Sequence, residues 1–158
     1  MTKELIQKYT LKISESSRTG IVVILYELAE KYLDDAIEAQ KGGNHEEMRK
    51  QCGNAQKVLN DLIGALDFDY EISAPLYRIY EFISKEVAKA VIKNDAEGLY
   101  KCKGFLSSLK GAFEKIEADD KRGPAMGNAQ TVYAGLTYGR NSLNENVHEQ
   151  LPNRGYTV

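Results

Sequence analysis

What most constrains this chain is the spacing of its apolar residues, which recur at alternating steps of three and four through long intervals free of proline. Met48, Cys52, Ala55, Leu59, Leu62 and Leu66 form one such stripe. Leu76, Tyr80, Ile83, Val87 and Ala90 form a second, and Leu99, Cys102, Leu106, Leu109, Phe113 and Ile116 a third. An α-helix advances about 100° per residue, so this spacing places each set on one helix face. Prolines fall only at Pro75, Pro124 and Pro152, leaving those helices unbroken.

Punctuation residues set the expected boundaries. The first long helix is expected to begin after Ser17 and to run to about Lys41, where Gly42-Gly43 stops it. Asn44 suits the cap of the next helix, with Glu47 three residues on in capping-box register. Ser73 is expected to cap the third helix, with Pro75 tolerated in a first turn whose N–H groups have no intrahelical partner. Asn94 with Glu97 repeats the capping pattern for the fourth helix. That helix also holds Gly98, Gly104 and Gly111, each costing roughly 1 kcal/mol relative to alanine, so packing must sustain it. Four amphipathic helices with short connections predict an all-α fold, an antiparallel four-helix bundle.

The expected division is an N-terminal segment over 1–16, the bundle over 17–118 and a flexible Gly/Asn-rich tail over 119–158. Within the first part, Leu5 to Ile13 reads as a helical turn or two. The tail is punctuated by Val132, Tyr133, Leu136, Tyr138 and Leu143. The first four of these suggest a segment that visits an apolar groove.

Bulk properties exclude several functions. A net charge of -2 and a pI near 5.8 offer no basic footprint for nucleic acid or an anionic membrane. No apolar run reaches the ~20 residues of a membrane span, and Met-Thr-Lys-Glu-Leu at the start lacks a signal peptide's apolar region. A cytoplasmic protein is expected. Cys52 and Cys102 lie in apolar stripes and read as buried thiols.

The acidic run Asp67-x-Asp69-x-Glu71 is not a calcium loop. Counted from Asp67, the sixth and twelfth positions, which require glycine and a bidentate glutamate, are Ile72 and Arg78. It reads instead as a solvated turn near a helix N-terminus. Glu145-x-x-His148 has di-metal spacing but occurs once, and the only other histidine is His45. No catalytic set, metal site, cofactor motif or phosphate-cradling glycine loop is present in the sequence, so no enzyme is expected.

The first long helix has more apolar surface than one packing face needs. Ile21, Leu25, Leu28 and Tyr32 form one stripe, and Val22, Tyr26, Ala29, Leu33 and Ile37 a second beside it. Together they cover roughly half the circumference, against the ~100° usual for a one-sided helix. Val23 and Ile24 widen the arc. Either the helix is central in the bundle, or part of the surplus lines a groove for a partner helix.

The order of several elements resembles the flagellin-export chaperone family. These are Tyr9 with Ile13 before the bundle, Ile-Val-Val-Ile-Leu25-Tyr26, Leu66-Asp-Phe-Asp-Tyr-Glu-Ile at the second turn, Leu76-Tyr77-x-x-Tyr80, and Phe105-Leu106-x-x-Leu109-x-x-x-Phe113. Ser16-Ser17-Arg18 stands where that family often has Ser-Pro, and Phe113 where it often has tryptophan. The resemblance implies a helical-bundle export chaperone without enzymatic activity. It would bind the disordered C-terminal segment of flagellin, prevent premature polymerisation and deliver the subunit to the flagellar export gate. The partner-binding residues it suggests are Tyr9, Ile13, Val22, Val23, Tyr26, Ile72, Leu76, Tyr77 and Tyr80, with Tyr9 and Ile13 covering the groove in the free protein. In the same stretch, Phe68 and Tyr70 are expected to pin the turn. The alternative is a self-associating interaction or signalling bundle, a homodimer when free, with no export role.

Overall fold

The computed structural model describes residues 2–119 together with Gly123 and Pro124. Five helices and no strand are present among them: α1 (Lys3–Glu15), α2 (Arg18–Lys41), α3 (His45–Gly64), α4 (Ser73–Lys93) and α5 (Glu97–Asp119). The expectations for the tail, including Val132, Tyr133, Leu136, Tyr138 and the Glu145–His148 pair, lie outside the described residues. The chain divides into two compact units, Thr19–Asp120, and Met1–Arg18 with Lys121–Val158.

Within the second of these units α1 is a continuous helix of 13 residues, longer than the turn or two expected. Thr2 caps it, its Oγ1 accepting from the Leu5 N–H at 3.4 Å, and Lys8 and Gln7 extend it with good helix formers between sparse apolar positions. Ile6 and Leu11 are exposed, Tyr9 and Ile13 half-buried.

In the larger unit, contacts fix the directions of the helices. Glu30 pairs with Lys110 at 2.6 Å and Asp34 with Lys103, so α2 and α5 are antiparallel. Gln56 Nε2 donates to Ser84 Oγ at 2.9 Å between α3 and α4. Phe82 meets Phe105 edge-on, with ring centroids 5.6 Å apart. A Cβ at Gly98 would lie 2.6 Å from Glu86 Oε2, which makes α4 and α5 antiparallel as well. The result is an up-down-up-down bundle in which α2 and α4 run parallel.

One core joins the four helices: Tyr26, Ala29, Leu33, Ala36 and Ile37 from α2, with the buried residues of the three stripes. All of the α4 stripe is buried, as are Met48, Cys52, Ala55, Leu59 and Leu62 on α3 and Leu99, Cys102 and Leu106 on α5. The α5 stripe emerges at its end, where Leu109 and Phe113 are half-buried and Ile116 is exposed. From Thr19 to Gln40 only Asp34 and Glu38 of α2 are exposed, so both of its stripes are buried or half-buried.

The ends of the helices depart from the sequence reading in instructive ways. α2 stops as expected. Gly43 takes φ 71°, and the Gly43 and Asn44 N–H groups donate to Gln40 O and Ala39 O, a Schellman closure that a Cβ would strain. Asn44 caps α3 by accepting from Glu47 N–H at 3.1 Å. Glu47 does not return the bond. Its Oε1 accepts from Gln51 instead. Asn94 ends α4 in the left-handed conformation (φ 51°) rather than starting α5, a role its short polar side chain tolerates. Asp95 takes over the start of α5, accepting from Glu97 N–H at 3.0 Å. Ser73 does not cap α4; its hydroxyl donates backward to the Asp67 carbonyl.

Cys52 and Cys102 are both buried and free. Burial pushes each thiol up to about 11 from 9.0. Folded and unfolded states both keep these protons below about pH 9, and between about 9 and about 11 only the unfolded thiols ionise, so stability falls with rising pH there. Both thiols are therefore expected to react with a disulfide reagent at neutral pH only as fast as the bundle opens, and a fast-reacting fraction would contradict this placement.

Nothing among the described residues lies within 4 Å of a Cβ added at Gly104 or Gly111. Gly104→Ala and Gly111→Ala are each expected to raise stability by about 1 kcal/mol in denaturant unfolding. A loss would show that these positions need glycine's backbone freedom.

Candidate functional site

The turn between α3 and α4 is ordered by its own backbone and two short side chains. The Asp67 carbonyl accepts from Tyr70 N–H at 3.1 Å and from Ser73 Oγ at 2.5 Å. The Asp67 carboxylate accepts from Asp69 N–H at 3.0 Å, and Ser73 N–H reaches the Tyr70 carbonyl. These bonds order the turn through main-chain groups and the side chains of Asp67 and Ser73. Of the two residues expected to pin the turn, Phe68 reaches a ring of α4 while remaining largely exposed, and Tyr70 is exposed.

The consequence is an apolar surface at the end of the bundle where α2 begins and α5 ends. Phe68 is 62% exposed, Tyr70 67%, Ile72 61% and Tyr77 38%. Phe68 and Tyr77 meet edge-on at 6.1 Å between centroids, which joins the turn to the first turn of α4. Single exposed apolar residues need no explanation, but four in one short stretch are a feature of interaction surfaces.

Next to this surface three aromatic rings pack together, Tyr26 and Tyr80 buried and Phe113 half-buried. The Tyr26 and Tyr80 hydroxyls share a hydrogen bond between α2 and α4, and Tyr26 also meets Phe113 of α5 edge-on at 5.6 Å. Burial raises the pKa of both phenols; the shared bond adds to the rise at Tyr26 and offsets part of it at Tyr80. Both hydroxyls remain protonated through neutral pH and serve as packing and hydrogen-bonding groups.

The residues suggested from sequence thus occupy different depths. Ile72 and Tyr77 are exposed, Val22 is half-buried, and Val23, Leu76, Tyr26 and Tyr80 are buried. All seven belong to the same end of the bundle. Tyr9 and Ile13 lie on α1, in the other unit. Phe68 and Tyr70 join Ile72 and Tyr77 at the surface. The signal for them was present in Asp67–Ile72, where acidic and apolar residues strictly alternate in a stretch too short to fold back on itself.

Among the described residues no three His, Cys, Asp or Glu side chains are placed to hold a metal ion, and no helix is long and apolar enough to cross a membrane.

Comparison with known proteins agrees with the fold. The chain is 24% identical over 102 residues, 65% of its own length and 77% of the other, to the "Flagellar secretion chaperone FliS" of Bacillus subtilis (strain 168). The family model described as "Flagellar protein FliS" matches residues 1–120, the whole of the five-helix region. A match of that extent, over a helical bundle with the expected element order, places the chain in the FliS family of flagellar proteins.

Proposed function

We propose that this chain is a flagellar export chaperone of the cytoplasm. Its role is to bind the disordered C-terminal segment of flagellin, prevent premature polymerisation and deliver the subunit to the export gate. The observation that supports this most is the apolar surface of Phe68, Ile72 and Tyr77 at one end of an otherwise well-packed bundle. Such a surface suits an amphipathic segment that folds as it binds. The name of the Bacillus relative points the same way.

The energetics fit a releasable complex. Coupled folding of a partner buries on the order of 1,000–3,000 Å² and gives up roughly 2–5 kcal/mol to ordering. Tyrosine suits the surface because its ring buries well while its hydroxyl tolerates water when the site is empty.

Exposure separates binding residues from core residues in a way mutation can read. Tyr77→Ala is expected to weaken binding of a flagellin C-terminal segment about tenfold by calorimetry, as a single aromatic contact does, with helicity and unfolding midpoint unchanged. Tyr26→Ala, at a fully buried position, is expected to destabilise the bundle by about 3–5 kcal/mol. Absence of micromolar binding by the wild-type protein, together with concentration-dependent dimers, would contradict the export reading.

A further inference from the structure

The exposed aromatic rings of this bundle are treated in two ways. Two rings carry a lysine: Lys41 Nζ lies 5.8 Å from the centre of the exposed Tyr100 ring on α5, and Lys101 Nζ lies 5.4 Å from that of the half-buried Phe82 on α4, which packs on Phe105. Phe68 and Tyr70 are more exposed than any of these and have no cation over them among the described residues. Beside them Asp69 and Glu71 are exposed and form no ion pair among the described residues. Arg78, the nearest cation along the chain, forms none among the described residues either.

We propose that the α3–α4 turn is a docking surface for a cationic peptide segment of a partner protein, one that presents Lys or Arg beside apolar side chains. The apolar part would cover Phe68, Tyr70 and Ile72, and the cation would lie against an aromatic face within reach of Asp69 or Glu71. The bundle itself shows the arrangement, since its own lysines already sit over Tyr100 and Phe82. An Arg or Lys over an aromatic face gains from both the ring quadrupole and the neighbouring carboxylate. The turn is held by Asp67 and Ser73, so little ordering opposes binding. This goes beyond the export reading, because it concerns the charge a partner must have, whether or not that partner is flagellin.

Two synthetic peptides with identical apolar residues, one with arginines between them and one with glutamines, test the idea by fluorescence anisotropy on the full chain. At about 20 mM salt, where screening is weak, the arginine peptide is expected to bind roughly tenfold more tightly, the sum of a few exposed charge contacts. The preference should shrink to about twofold in the double variant Asp69→Asn, Glu71→Gln, and to a similar level for wild type at about 0.5 M salt. Phe68→Ala with Tyr70→Ala should weaken both peptides. Equal binding of the two peptides by wild type would overturn the proposal. So would an arginine preference that survives both the carboxylate substitutions and high salt, or a wild-type dimer that the same substitutions dissolve, since the occupant would then be a second copy.

Discussion

The buried contact of Tyr26 with Tyr80 is the constraint on which the bundle depends. A phenol hydroxyl taken out of water costs a few kcal/mol unless it finds a partner, and here each hydroxyl is the other's partner. The two residues belong to α2 and α4, which are parallel and not consecutive, so the bond sets the depth of one helix against the other across the core. Phe113 closes the group from α5. Pure apolar contact would allow the helices to slide or rotate with little penalty. A polar pair that is satisfied in one arrangement specifies that arrangement.

That group also lies next to the exposed turn, which gives the end of the bundle its two-layer character. Leu76 and Tyr80 point into the core while Ile72 and Tyr77, on adjacent helical positions, point out. Buried and exposed apolar residues therefore share one short stretch at the start of α4. Lys110 with Glu30 and Lys103 with Asp34 tie α2 to α5 along the length of the bundle. Both pairs are partly exposed and contribute alignment more than stability.

Much of the fold was legible because three stripes follow helical spacing without interruption, and every buried residue of α3, α4 and α5 within them was identifiable by period alone. Helix ends were less legible. Asn94 and Ser73 are good capping residues by type, yet Asn94 closes α4 in the left-handed conformation and Ser73 ties back to Asp67. Composition says that such a residue prefers a helix end, and leaves open which end and which bond. α1 was read too short because its apolar positions are sparse, and helix formers between them extend it from Lys3 to Glu15. At the candidate site, periodicity put Tyr80 in the α4 stripe and left Tyr77 off it, and the bundle buries the first and exposes the second. Phe68 and Tyr70 were read as pinning the turn; Phe68 does meet Tyr77 of α4, while both rings stay largely exposed beside a turn ordered by main-chain bonds and the side chains of Asp67 and Ser73.

The central claim is that the surface from Phe68 to Tyr77 receives a partner segment while the aromatic group beside it stays packed. Amide hydrogen exchange over residues 66–82, with and without a flagellin C-terminal segment, tests it most directly. The account predicts added protection across the turn and the first two turns of α4, with the middle of α3 unchanged. Protection confined to other helices, or none at all while the segment is bound, would contradict it.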